Sequence, residues 1–197
     1  MIKQFWDWFT KQQSTLRKIT AGDYDLIDNI LIELRKIQTG LAIEFERNGD
    51  EIIMTISADG VEDNFEIVKE IVNSAPKIDK WNFVAFRQPV PREKVNSITV
   101  TVKGITLDPK TLWFRALGED DKIYVQIFAD NLTEDNRNDI GYGCLMLLDN
   151  LIGEYDCVTK VDGYEFYNLN EAQDFKDHLD PLTEIRDFLD NYYRVDA

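Results

Sequence analysis

Leu26, Ile27, Ile30, Leu31, Leu34 and Ile37 recur at helical spacing between about Asp23 and Thr39, and directly after Gly40 the period changes to two. That switch limits the fold more than any other feature. A stripe of this kind has to bury one side of a helix, and the alternation after it has to bury one face of a sheet. Leu41, Ile43 and Phe45 alternate with Ala42, Glu44 and Glu46, and Ile52, Met54 and Ile56 alternate with Ile53, Thr55 and Ser57. Asn48-Gly49 between the two runs predicts a β-hairpin. An earlier helix is read from Ile2, Phe5, Trp6, Phe9, Leu16 and Ile19, ended by Ala21-Gly22.

Helical spacing returns at Phe65, Val68, Ile71, Val72 and Ala75, from about Glu62, and Pro76 ends it. Strands are expected at 81–87, 98–102, 111–117 and 122–129, the last two joined by Gly118-Glu119-Asp120-Asp121. Thr133 is the expected cap of a helix carrying Ile140, Cys144, Leu147, Leu148 and Leu151, closed by Gly153. A last hairpin is read over 155–167 around Asp162-Gly163, and Pro181 opens a final helix. Sustained βαβ alternation is missing, so the pattern predicts an α+β fold with a largely antiparallel sheet and helices packed on it. A single domain over 1–197 is expected, with a helical pair at 2–39 and the sheet and its helices at 41–197. Gln88 to Asn96, with Pro89 and Pro91, is the widest irregular stretch and too short to prove a boundary.

Composition then removes function classes. The 197 residues are 44% hydrophobic, enough for a core. One histidine, His178, excludes chemistry that needs two, and Cys144 and Cys157 form no C-x-x-C. A net charge of -15 argues against a nucleic-acid partner, which needs excess Lys and Arg. Neither a membrane-spanning run nor a signal-peptide pattern is read at the N-terminus, so a cytoplasmic protein with reduced thiols and no membrane partner is expected. The charge is segregated: residues 1–117 carry 17 acidic and 16 basic side chains, residues 118–197 carry 20 and 6.

The motifs that suggest chemistry fail on inspection. Gly141-x-Gly143 has Met146 where a dinucleotide fingerprint needs its third glycine, and close helix packing accounts for the pair. In the acidic run 130–139 a calcium loop beginning at Asp135 would place Arg137 third and Ile140 sixth, where a ligand and a glycine belong. Asp59, Glu62 and Asp63 could pair as acid and base, but a turn and a first helical turn explain them more simply. His178, between Asp177 and Asp180, lacks a nucleophile in any recognisable elbow. No catalytic residue, metal ligand or cofactor is therefore assigned.

Aromatic and charged residues remain. Trp6 and Trp8 point to different sides of the first helix, and Trp81 opens a strand ending at Arg87. Trp and Arg commonly anchor interfaces, so Trp8, Trp81 and Arg87, with the acidic Glu134, Asp135 and Asp139, are the candidate binding residues.

The segments 5–9 (FWDWF), 56–60 (ISADG), Ala75-Pro76, 81–87 (WNFVAFR) and 148–154 (LDNLIGE) resemble an uncharacterised family of soluble bacterial proteins. The resemblance implies a compact cytoplasmic domain and carries no activity. The chain is also similar in size and acidity to bacterial immunity proteins, which neutralise toxins by binding. The expectation is a non-catalytic binding protein whose acidic C-terminal part meets a basic protein partner. A carboxylate- or metal-dependent hydrolase and a small-ligand binding domain are the alternatives, and the oligomeric state is left open.

Overall fold

The helical stripe and the alternation after it are buried in part: Ile30 and Leu34 of the stripe and Leu41, Ile52, Met54 and Ile56 of the alternation are buried, and the other members are half-buried. The computed structural model describes residues 1–20, 22–119 and 121–194; the expected helix stop at Ala21 and the turn residue Asp120 lie outside the described residues. The chain is α+β with mostly antiparallel sheets. It gathers into two compact units, 1–87 and 88–197, which divide in sequence where the proline-containing stretch begins. The helical pair and the first sheet fall in the same unit.

In the first unit α1 (Ile2–Leu16) and α2 (Tyr24–Arg35) precede β1 (Ala42–Asn48) and β2 (Glu51–Ser57), then α3 (Phe65–Asn73) and β3 (Trp81–Ala85). The β1–β2 hairpin pairs Ile43 with Ile56 and Phe45 with Met54, and Gly49 turns at φ +60°. Ile52, Met54 and Ile56 are fully buried, as their alternation requires. β3 runs parallel to β2, from Ile52↔Trp81 to Ile56↔Ala85, because α3 supplies the crossover a parallel pair needs. Phe5 and Phe9 are buried from α1, and the Trp6 ring lies edge-on to Phe83 at 4.6 Å.

The second unit is built on a four-stranded sheet in the order β8-β7-β6-β9: β6 (Trp113–Glu119), β7 (Lys122–Ala129), β8 (Val161–Asn168) and β9 (Asp180–Pro181). A small hairpin, β4 (Val100–Val102) and β5 (Ile105–Leu107), precedes it. The helices are α4 (Arg137–Ile152), α5 (Glu154–Thr159) and α6 (Ile185–Tyr192). Phe114, Val125 and Ile127 from the sheet share one core with Cys144, Leu147 and Leu148 of α4 and with Ile185 and Leu189 of α6.

Gly141 and Gly143 are packing residues. A Cβ on Gly143 would stand 2.5 Å from Leu107 Cδ1, and one on Gly141 3.0 Å from the Phe166 ring. The expected hairpin over 155–167 is corrected: residues 154–159 are helical, and β8 is one strand running parallel to β7. Asp162-Gly163 is not a turn. Asp162 is the extra residue of a bulge opposite Ile123 and Tyr124, and Gly163 admits the Tyr124 ring, whose Cε2 would lie 2.6 Å from a Cβ. Thr133 does not cap α4 either; Asn136 takes that place. Pro181 precedes a single 3-10 turn, Leu182–Glu184, before α6. Among the described residues no helix is long and apolar enough to cross a membrane.

Candidate functional site

Three of the six candidate residues fall in the first unit and three in the second. Trp8 is half-buried, with the rings of Phe5 and Phe9 at 6.2 and 6.5 Å. Trp81 is 5% exposed and crossed edge-on by Phe9 at 4.9 Å, so it is a core residue. Its Nε1 is buried without a hydrogen-bond acceptor among the described residues. Arg87 donates from Nε to Glu44 Oε1 at 2.5 Å and from Nη2 to Asp59 Oδ1 at 3.0 Å, bracing β1 against the turn after β2. That turn is strained. Asp59 has φ +52° and Phe86, beside Arg87, +65°, two left-handed non-glycine residues at the carboxyl ends of parallel neighbours. Ser57 Oγ accepts the Asp59 amide at 2.8 Å.

This arrangement bears on the hydrolase alternative. The Asp59 carboxylate is paired with Arg87, which it shares with Glu44, while Glu62 and Asp63 lie in the following 3-10 turn. Asp63 lines an open depression along α3 with Glu66, Lys69 and Glu70. Among the described residues no three His, Cys, Asp or Glu side chains converge as metal ligands. A cleft of about 350 Å³ lies between α1 and the segment after α3, with Lys3, Asp7 and Thr10 on its rim. Trp6 is its one aromatic wall, and the Trp6 N–H is committed to Ile71 O at 2.9 Å.

In the second unit the acidic loop is built by two asparagines. Asn136 accepts the Thr133 amide at 2.7 Å and donates to Asn131 O at 2.8 Å. Asn168, at the end of β8, donates to Leu132 O at 2.8 Å and to Asp130 O at 3.1 Å, and it caps the 3-10 segment Leu169–His178 in a capping box with Glu171. The loop and that segment are therefore stitched together. Asp130, Glu134 and Asp135 are exposed on one, and Glu171, Asp174 and Asp177 on the other. Asp139 stands apart: it is 27% exposed and pairs with Lys103 Nζ at 2.9 Å. His178 is exposed at the end of the 3-10 segment.

A polar network on the sheet face away from α4 is not legible as a motif. Arg115, Gln126 and Glu165 stand in register across β6, β7 and β8. Arg115 donates from Nε and Nη2 to Gln126 Oε1 at 3.1 and 2.5 Å, and its guanidinium lies 4.1 Å over the Phe175 ring. Gln126 Nε2 donates to Glu165 Oε2 at 3.2 Å, and the Tyr167 hydroxyl donates to the same oxygen. The hydroxyl of Tyr167, the amide of Gln126 and the hydroxyl of Tyr124 together hold the Glu165 carboxyl below its usual range. Loss of water and then the Glu165 bond push the Tyr124 phenol up, and the Glu165 bond raises Tyr167. The signal available to a sequence reader is the alternation of these polar and aromatic residues along all three strands, opposite the apolar set.

Both cysteines are free, and burial pushes the Cys144 thiol up to about 12. No protein-family model, no curated protein and no solved structure matches this chain.

Proposed function

We propose that this is a non-catalytic binding protein whose second unit offers an acidic edge to a basic protein partner. The observation that carries the reading is the preorganised loop 130–136. Glu134 and Asp135 are exposed there and make no ion pair among the described residues. Asn136 and Asn168 fix the loop backbone, so a partner need not supply the ordering entropy. Charges displayed in this way steer encounter and act on the association rate. Replacing Glu134→Gln and Asp135→Asn together should slow association with a basic partner recovered from the native host by about tenfold at low salt. The gap should close above about 0.3 M salt, where screening is strong. Equal association rates for the two proteins at low salt would reduce the acidic loop to a solubility device.

A further inference from the structure

The helix that follows the acidic loop is apolar around nearly its whole girth. Ile140, Cys144, Leu147, Leu148, Leu151 and Ile152 of α4 are buried in the core. On the other side Tyr142, Leu145 and Met146 are 60, 41 and 40% exposed. A helix that is apolar all round is ordinarily covered all round. With about 100° per residue, Asp139, Tyr142, Leu145 and Met146 fall on one face, so the exposed stripe begins at a carboxylate; Asp149, at its other end, is half-buried and accepts a hydrogen bond from the Cys157 thiol. Between residues 138 and 159 there is no Lys or Arg. Lys103, 75% exposed, reaches Asp139 from the β4–β5 turn, and a weak surface pair of this kind yields readily to a competing cation.

We infer that the exposed face of α4 docks a basic amphipathic helix of a partner protein. This inference rests on the proposed function and assigns that partner its contact surface. Charge complementarity selects the occupant. A second copy of this chain laid parallel along α4 would set Asp139 against Asp139, and an antiparallel one would still bring a second acidic unit to the same surface. Both arrangements add like-charge repulsion between units that each carry 22 acidic and 11 basic side chains over residues 88–197. A helix with an apolar stripe flanked by Lys or Arg meets no such penalty. Its apolar side chains cover Tyr142, Leu145 and Met146 while its cations meet Asp139 and the adjoining Glu134 and Asp135. Tyr is a frequent anchor, and Met adapts its shape to irregular partners.

The probe is a synthetic 18-residue Leu/Lys amphipathic helix, with a Leu/Glu peptide of the same pattern and a scrambled Leu/Lys peptide as controls. Calorimetry gives affinity, and backbone amide shifts of the full chain locate the contact. The Leu/Lys helix is expected to bind at least tenfold tighter than either control and to shift amides over 138–150. The variant Tyr142→Ser/Leu145→Ser/Met146→Ser should weaken it at least tenfold with an unchanged circular dichroism spectrum. Met146→Gln alone, the milder variant, should weaken it about threefold should the triple variant fold poorly. Binding that survives the stripe variants yet falls with Glu134→Gln/Asp135→Asn would overturn this inference and leave the proposed function standing. Equal binding of the Leu/Glu helix would overturn both. A dimer of the unmodified chain that the stripe variants dissociate would make the occupant a second copy and overturn the inference. So would the absence of any binding by the Leu/Lys helix at 100 μM.

Discussion

Trp6 and Trp81 share one aromatic cluster and differ in what their N–H groups find. Trp6 donates to the Ile71 carbonyl at 2.9 Å. That carbonyl lies in the last turn of α3, where helices leave acceptors unpaired, so Trp6 serves as a side-chain cap reaching across from α1. Trp81 is as deeply buried, yet its N–H meets no acceptor among the described residues. Its burial is driven by area alone, and its desolvated donor costs stability. The two tryptophans should therefore respond differently to the same substitution. Trp6→Phe loses packing and strands a buried carbonyl, while Trp81→Phe loses packing and removes an unsatisfied donor. Trp6→Phe is expected to be more destabilising by about 1–3 kcal/mol, read from urea melts of the two variants. Equal losses would mean that the Trp6 bond carries no net weight. Neither role is visible in the sequence, where Trp6 reads as an apolar residue of the first helix and Trp81 as a candidate interface anchor. Arg87 is similar: its interface-anchor signature conceals a brace that two carboxylates already occupy.

At the scale of elements, patterns with a period were legible and patterns that depend on a neighbour were not. The stripe of α2, the β1–β2 hairpin and the paired strands β6 and β7 follow from spacing, because each buries a face that spacing defines. The run after Gly153 misled because Asp-Gly is the usual hairpin signal. Here the glycine answers to Tyr124 on the next strand, a contact more than thirty residues away in sequence. Gly163→Ala tests that account. The added methyl would sit 2.6 Å from the half-buried Tyr124 ring and should push it outward. An outward ring regains water and leaves Glu165, removing in turn the two largest causes that raise its phenol. A spectrophotometric titration of Gly163→Ala should then show one tyrosine titrating at a lower pH than in the parent protein, with a stability loss of about 1–3 kcal/mol. An unchanged titration would mean that the ring stays and the strand yields instead. The Arg115–Gln126–Glu165 row escaped for the same reason, since three strands must first be set in register before the residues become neighbours.

The molecule as a whole carries its charge unevenly, and that asymmetry was legible from the start because counting needs no fold. Where the carboxylates point was not, since it depends on Asn168 tying a loop to a segment more than thirty residues downstream. With 37 acidic against 22 basic side chains, folding concentrates like charge that the unfolded chain spreads out. Opposing this are ion pairs such as Lys3–Asp7, Lys36–Glu33, Lys80–Asp50 and Lys160–Asp156. Most of these are well exposed, and pairs of that kind contribute about 0–1 kcal/mol each and weaken with salt. The two effects have opposite salt dependences. Screening relieves the net repulsion over distances longer than the roughly 10 Å Debye length at 0.1 M, whereas close pairs lose only part of their attraction. Net repulsion should win at a charge of -15. Raising sodium chloride from 20 to 300 mM at pH 7 is therefore expected to increase the thermal midpoint by about 2–4 °C, roughly 1 kcal/mol for a chain of this length. The same addition at pH 4.4, the isoelectric point, should have no stabilising effect, because the net charge that screening relieves has gone. A midpoint that falls with salt at pH 7 would show that the ion pairs outweigh the repulsion, and that the acidic surface imposes no cost for a basic partner to relieve.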